Sequence, residues 1–440
     1  MNGRNPATSG APSERDAGAA AAARVPVPPR VRRRGSEPRG VRPPGDIEFE
    51  RTVTLPEAVI VDAVRTPIGR AFKGSLKDVR ADELAAVPLR ALQERNPGVD
   101  FSETGDVMMG AASSFAEQAY NVGRNAALLA GIDHHVPACT VNRFCASSLQ
   151  TLRMAFHAIK AGEGDQYIAA GVESVSRAGL GAGMADEFKN DRLDGSDGSL
   201  FDVYIPMGLT AENVADRCKV SREAQDEWAV ISQNRAVDAQ VSGHFDREIV
   251  AVATPDGGQV TKDDGPRPGT TLEVLGNLKP AFRPDGTVTA GNACPLNDGA
   301  AAVLVMSEEK ARGLGLEPKA RIVASTAAAL RPEIMGLGPI PAIQALLQQT
   351  GMTMDDIDAV EINEAFAAQI VPCRDELGIP EEKLNPFGGA IALGHPFGMT
   401  GARIMTTLLN DLETLDGTYG IESMCVAGGM GMAMLVERLK

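Results

Sequence analysis

An α/β fold with largely parallel sheets is what this 440-residue chain predicts, and three observations carry that expectation. Short runs suited to buried strands recur at Ala58–Val61, Asp106–Met109, Pro137–Val141 and Tyr167–Gly171. Segments with helical spacing separate them, as with Leu84, Val87, Leu89 and Leu92 inside Asp82–Arg95. The chain is also too long for one small core, so one large or two fused domains are expected.

Order begins at Glu57, and Arg65–Gly69 reads as a turn after the first strand. A helix over Ala119–Ala130 precedes strand Pro137–Val141, which runs into Asn142-Arg143-Phe144-Cys145 and then a helix from about Ala146 to Ala161. From Glu173 to about Pro284 the pattern loosens. Glycine turns at Gly179–Gly183 and a polar stretch, Asp186–Ser199, lead to helices Thr210–Val220 and Glu223–Ser242. Such a long excursion is the kind that carries binding residues. The core resumes at Val288 and runs to about Glu308. A second half follows, with strands Arg321–Ala324, Ala359–Ile362 and Gly420–Val426 and helices Pro341–Thr350, Glu364–Leu377 and Thr400–Leu412. Each half has a cysteine close to the end of a late strand. Two related halves packed together would place Cys145 and Cys425 near one shared cleft.

The first 50 or so residues stand apart, with alanine-rich and then Pro/Arg-rich runs that lack periodicity and are expected to be disordered. Their arginines suit a transit peptide; their prolines, acids and scarce serines do not, and a dispensable tail is the preferred reading. Residues 1–45 hold nine arginines against Glu14, Asp16 and Glu37, a balance of +6 in a chain of −15. The remainder therefore carries −21. A body so acidic repels polyphosphate backbones, which argues against nucleic acid as a partner. No stretch approaches the roughly 20 apolar residues of a spanning helix. The six cysteines (139, 145, 218, 294, 373, 425) form no CxxC pair, so free thiols are expected and a zinc site is not.

Cys145 precedes a helix-forming run. The positive end of a helix dipole would lower its pKa and favour the nucleophilic thiolate, although a buried structural cysteine fits the same spacing. His395 lies on a loop, Asn385 to Pro396, stiffened by glycines before it and a proline after it, where an imidazole could take a thiol proton. Of the other histidines, His134 and His135 sit in a polar turn, His157 reads as a packing residue and His244 as a surface one. Cys425 enters Val426-Ala427-Gly428-Gly429-Met430-Gly431, whose backbone offers N–H donors to an oxyanion or simply makes a tight turn before the last strand. Asn363 could cap the helix after it. The GxGxG run at Gly179–Gly183 is not a dinucleotide fingerprint.

Taken together, six blocks resemble the thiolase family in order and spacing. They are Val141-Asn142-Arg143-Phe144-Cys145-Ala146-Ser147-Ser148, Met207-Gly208-Leu209-Thr210-Ala211-Glu212-Asn213, the pair Val288–Asn292 and Leu296–Ala302, Asn363–Ala368, Gly394-His395-Pro396, and Cys425–Gly431. The likeness runs from about Glu57 to Lys440. It implies the family's fold, two similar α/β halves forming a five-layer αβαβα core with an inserted loop domain. The expected division is a tail at 1–53, an N-terminal domain at 54–316 with its loop domain at about 173–287, and a C-terminal domain at 317–440.

By resemblance, Cys145 is the acylated nucleophile and His395 the base that activates it. His395 and a water held by Asn363 cradle one thioester oxygen. Cys425 is the second acid/base, and the backbone N–H groups of Cys145 and Ala427 form another oxyanion site; glycine is usual at the latter position. Met207, Ala293, Cys294 and Phe366 are expected to meet the acyl or pantetheine arm, and Arg267 the nucleotide end. Coenzyme A would be a co-substrate, with no permanently bound cofactor or metal. A homodimer or homotetramer and a cytoplasmic location are expected, with β-oxidation enzymes as further partners. Pro206 stands where many short-chain acetoacetyl-CoA thiolases have histidine, and the region after Ser176 lacks their histidine segment. Both departures favour a degradative 3-ketoacyl-CoA thiolase over a biosynthetic one. A non-catalytic acyl-CoA-binding protein of this fold would be expected to lack one of the four catalytic positions, and all four are present.

Overall fold

The computed structural model describes residues 55–179 and 186–440. The expected tail at 1–53 and most of the GxGxG turn lie outside the described residues. Nine strands matter here: β1 (Ala58–Arg65), β2 (Val107–Gly110), β3 (Ala138–Val141), β4 (Gln166–Ser174), β5 (Asn297–Ser307), β6 (Ala320–Ala329), β7 (Ala359–Ile362), β8 (Tyr419–Val426) and β9 (Met430–Arg438). They run side by side in the order β7-β8-β9-β6-β1-β5-β4-β2-β3, and a two-residue strand, Gly69–Arg70, adds to β5. The junction between the halves is thin, two rungs between β1 and β6, Val59 to Arg321 and Ile60 to Ala320.

Within each half the chain takes the same route. Numbered inside the first half, the strands lie third, second, fourth, fifth, first; in the second half they lie second, fourth, fifth, first. The missing third position is marked by a lone parallel bridge between Val360 and Leu384, on the far side of β7. The counterpart of the turn carrying Cys145 is the loop carrying His395, because both follow the third position and feed a central helix. Cys425 ends β8, which corresponds to β4.

The sheet is mixed, not largely parallel. Only β2–β3, β2–β4 and β7–β8 run parallel. Strand β5 returns from the long excursion antiparallel to both β4 and β1, and the tight turn Ala427–Gly429 makes β8 and β9 a hairpin. Long crossovers are needed only for parallel neighbours, and these two connections do not provide them.

Among the described residues the helices of eight residues or more are α1 (Ala81–Arg95), α2 (Val122–Leu129), α3 (Ser147–Lys160), α4 (Met207–Cys218), α5 (Arg222–Ser242), α6 (Pro339–Thr350), α7 (Ala367–Leu377) and α8 (Thr400–Thr414). Strand alternation sorts them into layers. On β4, Tyr167 and Ala169 face a central core with α3 and α8, while Ile168, Ala170 and Val172 face α1 and α2. On the second half, Met432 and Met434 face that same centre, and Ala433 and Leu435 face α6 and α7. The result is five layers, αβαβα, with α3 and α8 in the middle.

Helix α5 belongs to the excursion between β4 and β5. The Ser221 hydroxyl accepts from the N–H of Ala224 at 3.1 Å to start it, and Gly243 in the left-handed region (φ 77°) ends it. Two histidine expectations are reversed: His157 is exposed on α3, whereas His244 is buried, stacked on Phe387 at 3.8 Å and 3.1 Å from an Asp411 carboxylate oxygen. Helical spacing alone did not settle which face each histidine takes.

Leu408 is fully buried in the central layer, against the side-chain-free face of Gly420 on β8. Leu408→Ala should cost about 2–5 kcal/mol, read from the midpoint of urea unfolding. An unchanged midpoint would show that the centre of the five layers is not packed as described.

Candidate active site

The N-terminal turns of α3 and α8 meet at one end of the central layer. A Cβ on Gly401 would lie 2.2 Å from the Leu149 nitrogen, so only glycine lets the two helices touch there. The N–H of Ala402, an orphan donor in the first turn of α8, donates to the Ser148 hydroxyl at 2.9 Å. Cys145 lies in a 3₁₀ turn, Phe144–Ala146, that opens α3, and His395 lies just before α8. Strand β8, ending at Cys425 and Val426, packs on that turn. The structure thus brings together groups that are far apart in sequence.

Local geometry holds Cys145 out of a regular helix. Phe144 has φ of 46°, a left-handed conformation that costs a non-glycine residue about 1–2 kcal/mol. It is held there by its own N–H, which donates to Asn142 Oδ1 at 2.8 Å, and by its carbonyl, which accepts from the Ser147 hydroxyl at 2.6 Å. The backbone N–H of Ala427 reaches the sulfur of Cys145 and stabilises negative charge there.

The expected low thiol pKa is not found. Burial pushes Cys145 up to about 12, with the Glu173 carboxylate adding to the rise and the Ala427 N–H opposing it. The free thiol therefore keeps its proton at neutral pH. Cys425 is fully buried and is raised further by burial and by the neighbouring sulfurs of Cys145, Cys373 and Cys294. Cys294 is raised by burial and by Cys145 and Glu364. Three thiols therefore lie within one another's electrostatic reach, all raised above the ordinary cysteine value.

His395 is held from three sides. Its backbone N–H donates to Asn297 Oδ1 at 3.0 Å, its Nδ1 lies 2.6 Å from the Thr400 hydroxyl, and its Nε2 lies 3.3 Å from Asn363 Nδ2. The Thr400 hydroxyl gives its own proton to the Pro396 carbonyl at 2.9 Å, so it must accept from His395 Nδ1–H. The lone pair is then on Nε2, facing Asn363. Burial, with the Arg403 charge in support, pushes the imidazole down to about 3, so it is neutral and basic in form at any physiological pH. Asn363 does not cap a helix: α7 starts at Ala367, and the amide is committed to His395, with Oδ1 buried and free of protein partners.

Glu364, next in sequence, was not given a role by the sequence. Its carboxylate accepts from Trp228 Nε1 (3.0 Å), the Ser232 hydroxyl (2.6 Å), Asn385 Nδ2 (2.8 Å) and the Ile391 N–H (3.1 Å). It ties the excursion helix α5 to the loop that leads to His395. A Cβ on Gly389 would lie 2.2 Å from that carboxylate, which explains the glycine there. The readable signal was the acid itself, since an unpaired charge directly after an apolar strand needs buried donors.

Among the expected substrate contacts, Met207, Ala293 and Phe366 share one apolar cluster with Cys425. Ala293 bridges to Phe366, and the Cys294 N–H donates to the Ala365 carbonyl at 3.0 Å. Phe282, which the sequence did not single out, lies over Gly208 and edge-on to Phe366 at 6.0 Å. Arg267 is exposed and outside this cluster; its backbone N–H binds Gln233 Oε1 at 2.9 Å. Among the described residues the one grouping with metal-ligand geometry is Asp133, His134 and His135, all exposed, on the turn before β3 while Cys145 follows that strand.

A duplicated α/β fold with an imidazole and thiols at the meeting of its halves suits a class of enzymes that transfer acyl groups. Comparison with known proteins gives the family. The model described as "Thiolase, N-terminal domain" matches residues 58–309, and "Thiolase, C-terminal domain" matches 316–438. The chain belongs to the thiolase family of acyltransferases. It is 48% identical over 400 residues to a beta-ketoadipyl-CoA thiolase of Pseudomonas aeruginosa, covering 87% of this chain and 99% of the relative. It is 47% identical over 390 residues to a 3-ketoacyl-CoA thiolase of Pseudoalteromonas translucida, with the same coverage of 87% and 99%. The dimeric peroxisomal thiolase of Saccharomyces cerevisiae superposes with a TM-score of 0.81 at 39% identity, covering 87% of this chain and 97% of that one.

His395 sets an acid-side prediction. Its folded pKa is about 3 against an ordinary 6.5, so the unfolded chain binds the proton first, and stability falls as pH drops through that window. The same shift predicts a kcat/KM profile with no inflection from this base between about pH 5.5 and 7.5. An inflection near 6.5 that disappears in His395→Asn would show that the imidazole is not buried as described.

Proposed function

We propose that this thiolase cleaves 3-ketoacyl-CoA by thiolysis through an acyl-cysteine at Cys145. What supports this reading is the contact between the N-terminal turns of α3 and α8, the entrances that carry Cys145 and His395, together with the electrostatic coupling of Cys145 and Cys425. Nε2 of His395 exchanges its contact with Asn363 Nδ2 for the thiol and takes the Cys145 proton as the sulfur attacks the C3 ketone, and the N–H of Ala427 and the backbone N–H of Cys145 stand by for the oxyanion. The C2–C3 bond then breaks, leaving the acyl group on Cys145 and an enolate on the departing acetyl-CoA. Cys425, buried and protonated, supplies the proton that C2 needs. Coenzyme A, the co-substrate, takes the acyl group from sulfur to complete the turnover. Asn363 Oδ1 remains available to hold a water beside His395.

The degradative direction is supported by Pro206 in place of histidine and by relatives named for 3-ketoacyl-CoA and beta-ketoadipyl-CoA. Those two names differ in whether the acyl chain ends in a carboxylate. From the apolar cluster of Met207, Ala293 and Phe366 beside Cys425 we infer an uncharged chain, the kind met in fatty acid β-oxidation, against the relatives named for beta-ketoadipyl-CoA, which point to aromatic degradation. We also infer a homo-oligomer, since a dimeric thiolase shares the fold, and a cytoplasmic location; no helix among the described residues is long and apolar enough to cross a membrane. Arg267 remains proposed as a contact for the nucleotide end of coenzyme A, its guanidinium exposed and without a hydrogen bond or ion pair among the described residues.

Cys145→Ala should abolish thiolysis of every 3-ketoacyl-CoA tried, and substantial residual turnover would refute the nucleophile assignment. Cys425→Ser should leave Cys145 open to acylation while C–C cleavage falls by about 100-fold or more; normal turnover would remove Cys425 from the mechanism. A series from acetoacetyl-CoA upward, with 3-ketoadipyl-CoA included, should show kcat/KM rising with uncharged chain length. A preference for the dicarboxylate would overturn the substrate class.

A further inference from the structure

Glu173 ends β4, fully buried, and nothing in the mechanism above uses it. Four N–H donors surround its carboxylate: the backbone groups of Ala112 (2.9 Å), Ser113 (3.1 Å) and Gly398 (2.8 Å), and the side-chain amide of Gln118 (2.8 Å). The Ser113 hydroxyl joins them, and all these hydrogen bonds favour the carboxylate against the burial that opposes its charge.

The two ends of this contact lead to the two halves of the catalytic pair. Gly398 follows His395 by three residues, inside the stretch before α8. Ala112 accepts from Asn142 Nδ2 at 2.9 Å through its carbonyl, and Asn142 Oδ1 accepts from the N–H of Phe144, the residue before Cys145. Backbone packing leaves no slack along this path. A Cβ on Gly171 would lie 2.1 Å from the Gly398 carbonyl oxygen, one on Gly398 2.3 Å from that of Val172, and one on Gly110 2.4 Å from the Ser148 nitrogen. These glycines let four backbone segments close around one carboxylate.

We propose that Glu173 is the positioning residue that joins the base loop to the nucleophile turn. The inference rests on Cys145 being the nucleophile. Groups whose charge or dipole reaches the sulfur include Glu173 from β4, Cys425 from β8, Cys294 from the segment before β5, and the N–H of Ala427. Burial is the main cause of the raised thiol, and the Glu173 carboxylate adds to it. The thiolate forms only as His395 Nε2 receives the proton.

Charge and reach separate in two substitutions. Glu173→Gln keeps the size and removes the charge. The rate at which iodoacetamide alkylates Cys145 at pH 7, with the modified residue identified by peptide mass spectrometry, should rise, and its pH profile should move to lower pH. Glu173→Asp keeps the charge and shortens the reach; kcat should fall by about tenfold or more with KM nearly unchanged, while the alkylation profile stays where it is in the unsubstituted enzyme. An unmoved alkylation profile in folded Glu173→Gln, or full kcat in Glu173→Asp, would overturn the proposal. If Glu173→Gln does not fold, the Asp variant still decides. Alkylation of a residue other than Cys145 in the unsubstituted enzyme would instead overturn the nucleophile assignment, and this proposal with it.

Discussion

The contact on which the rest depends is the meeting of α3 and α8 at their N-terminal turns. Both helices are buried between the two halves of the sheet, and each is fed by the third position of its half. Because Gly401 has no side chain, the helices approach until backbone meets backbone, and Ser148 then satisfies a donor that the first turn of α8 cannot. Cys145 and His395 are simply the last residues of the two entrances to that contact. A duplicated fold therefore creates a site neither half could hold alone: a thiol from one entrance, an imidazole from its counterpart, and a second thiol at the end of β8.

Burial shapes the chemistry as much as position does. In water a cysteine and a histidine differ by a few pKa units and could form an ion pair readily. Here burial moves them apart, the thiol upward and the imidazole downward, so the neutral pair is the resting form. Ionisation then has to be coupled to attack, with charge developing where the Ala427 N–H already points. Buried carboxylates hold this geometry. Glu364 gathers four donors under the loop that leads to His395, and Glu173 gathers four N–H donors where that loop meets the nucleophile turn.

Much of this was readable from the residues. Strand and helix runs from Ala58 to Val426 were placed within a few positions, because apolar period and turn residues agree over most of the chain. The blocks around Cys145, Asn363, His395 and Cys425 were each weak alone, and their order made them a family signature. Sheet direction was not readable, since an apolar strand carries no mark of whether its neighbour is parallel. Neither was the thiol's protonation: helix position argued for a low pKa, and the burial that outweighs it depends on residues hundreds of positions away. His157 and His244 were exchanged because a single residue does not reveal which face of its helix is covered. Glu173 was passed over at the end of an apolar strand, where its four N–H donors come from three other segments.

Brief incubation with acetyl-CoA, acid quenching and peptide mass mapping would test the central claim most directly. The account predicts one acetyl group per chain, on the peptide containing Cys145, and none when His395 is replaced by asparagine. Acetylation of Cys294 or Cys425 in place of Cys145, or equal labelling without the imidazole, would contradict it.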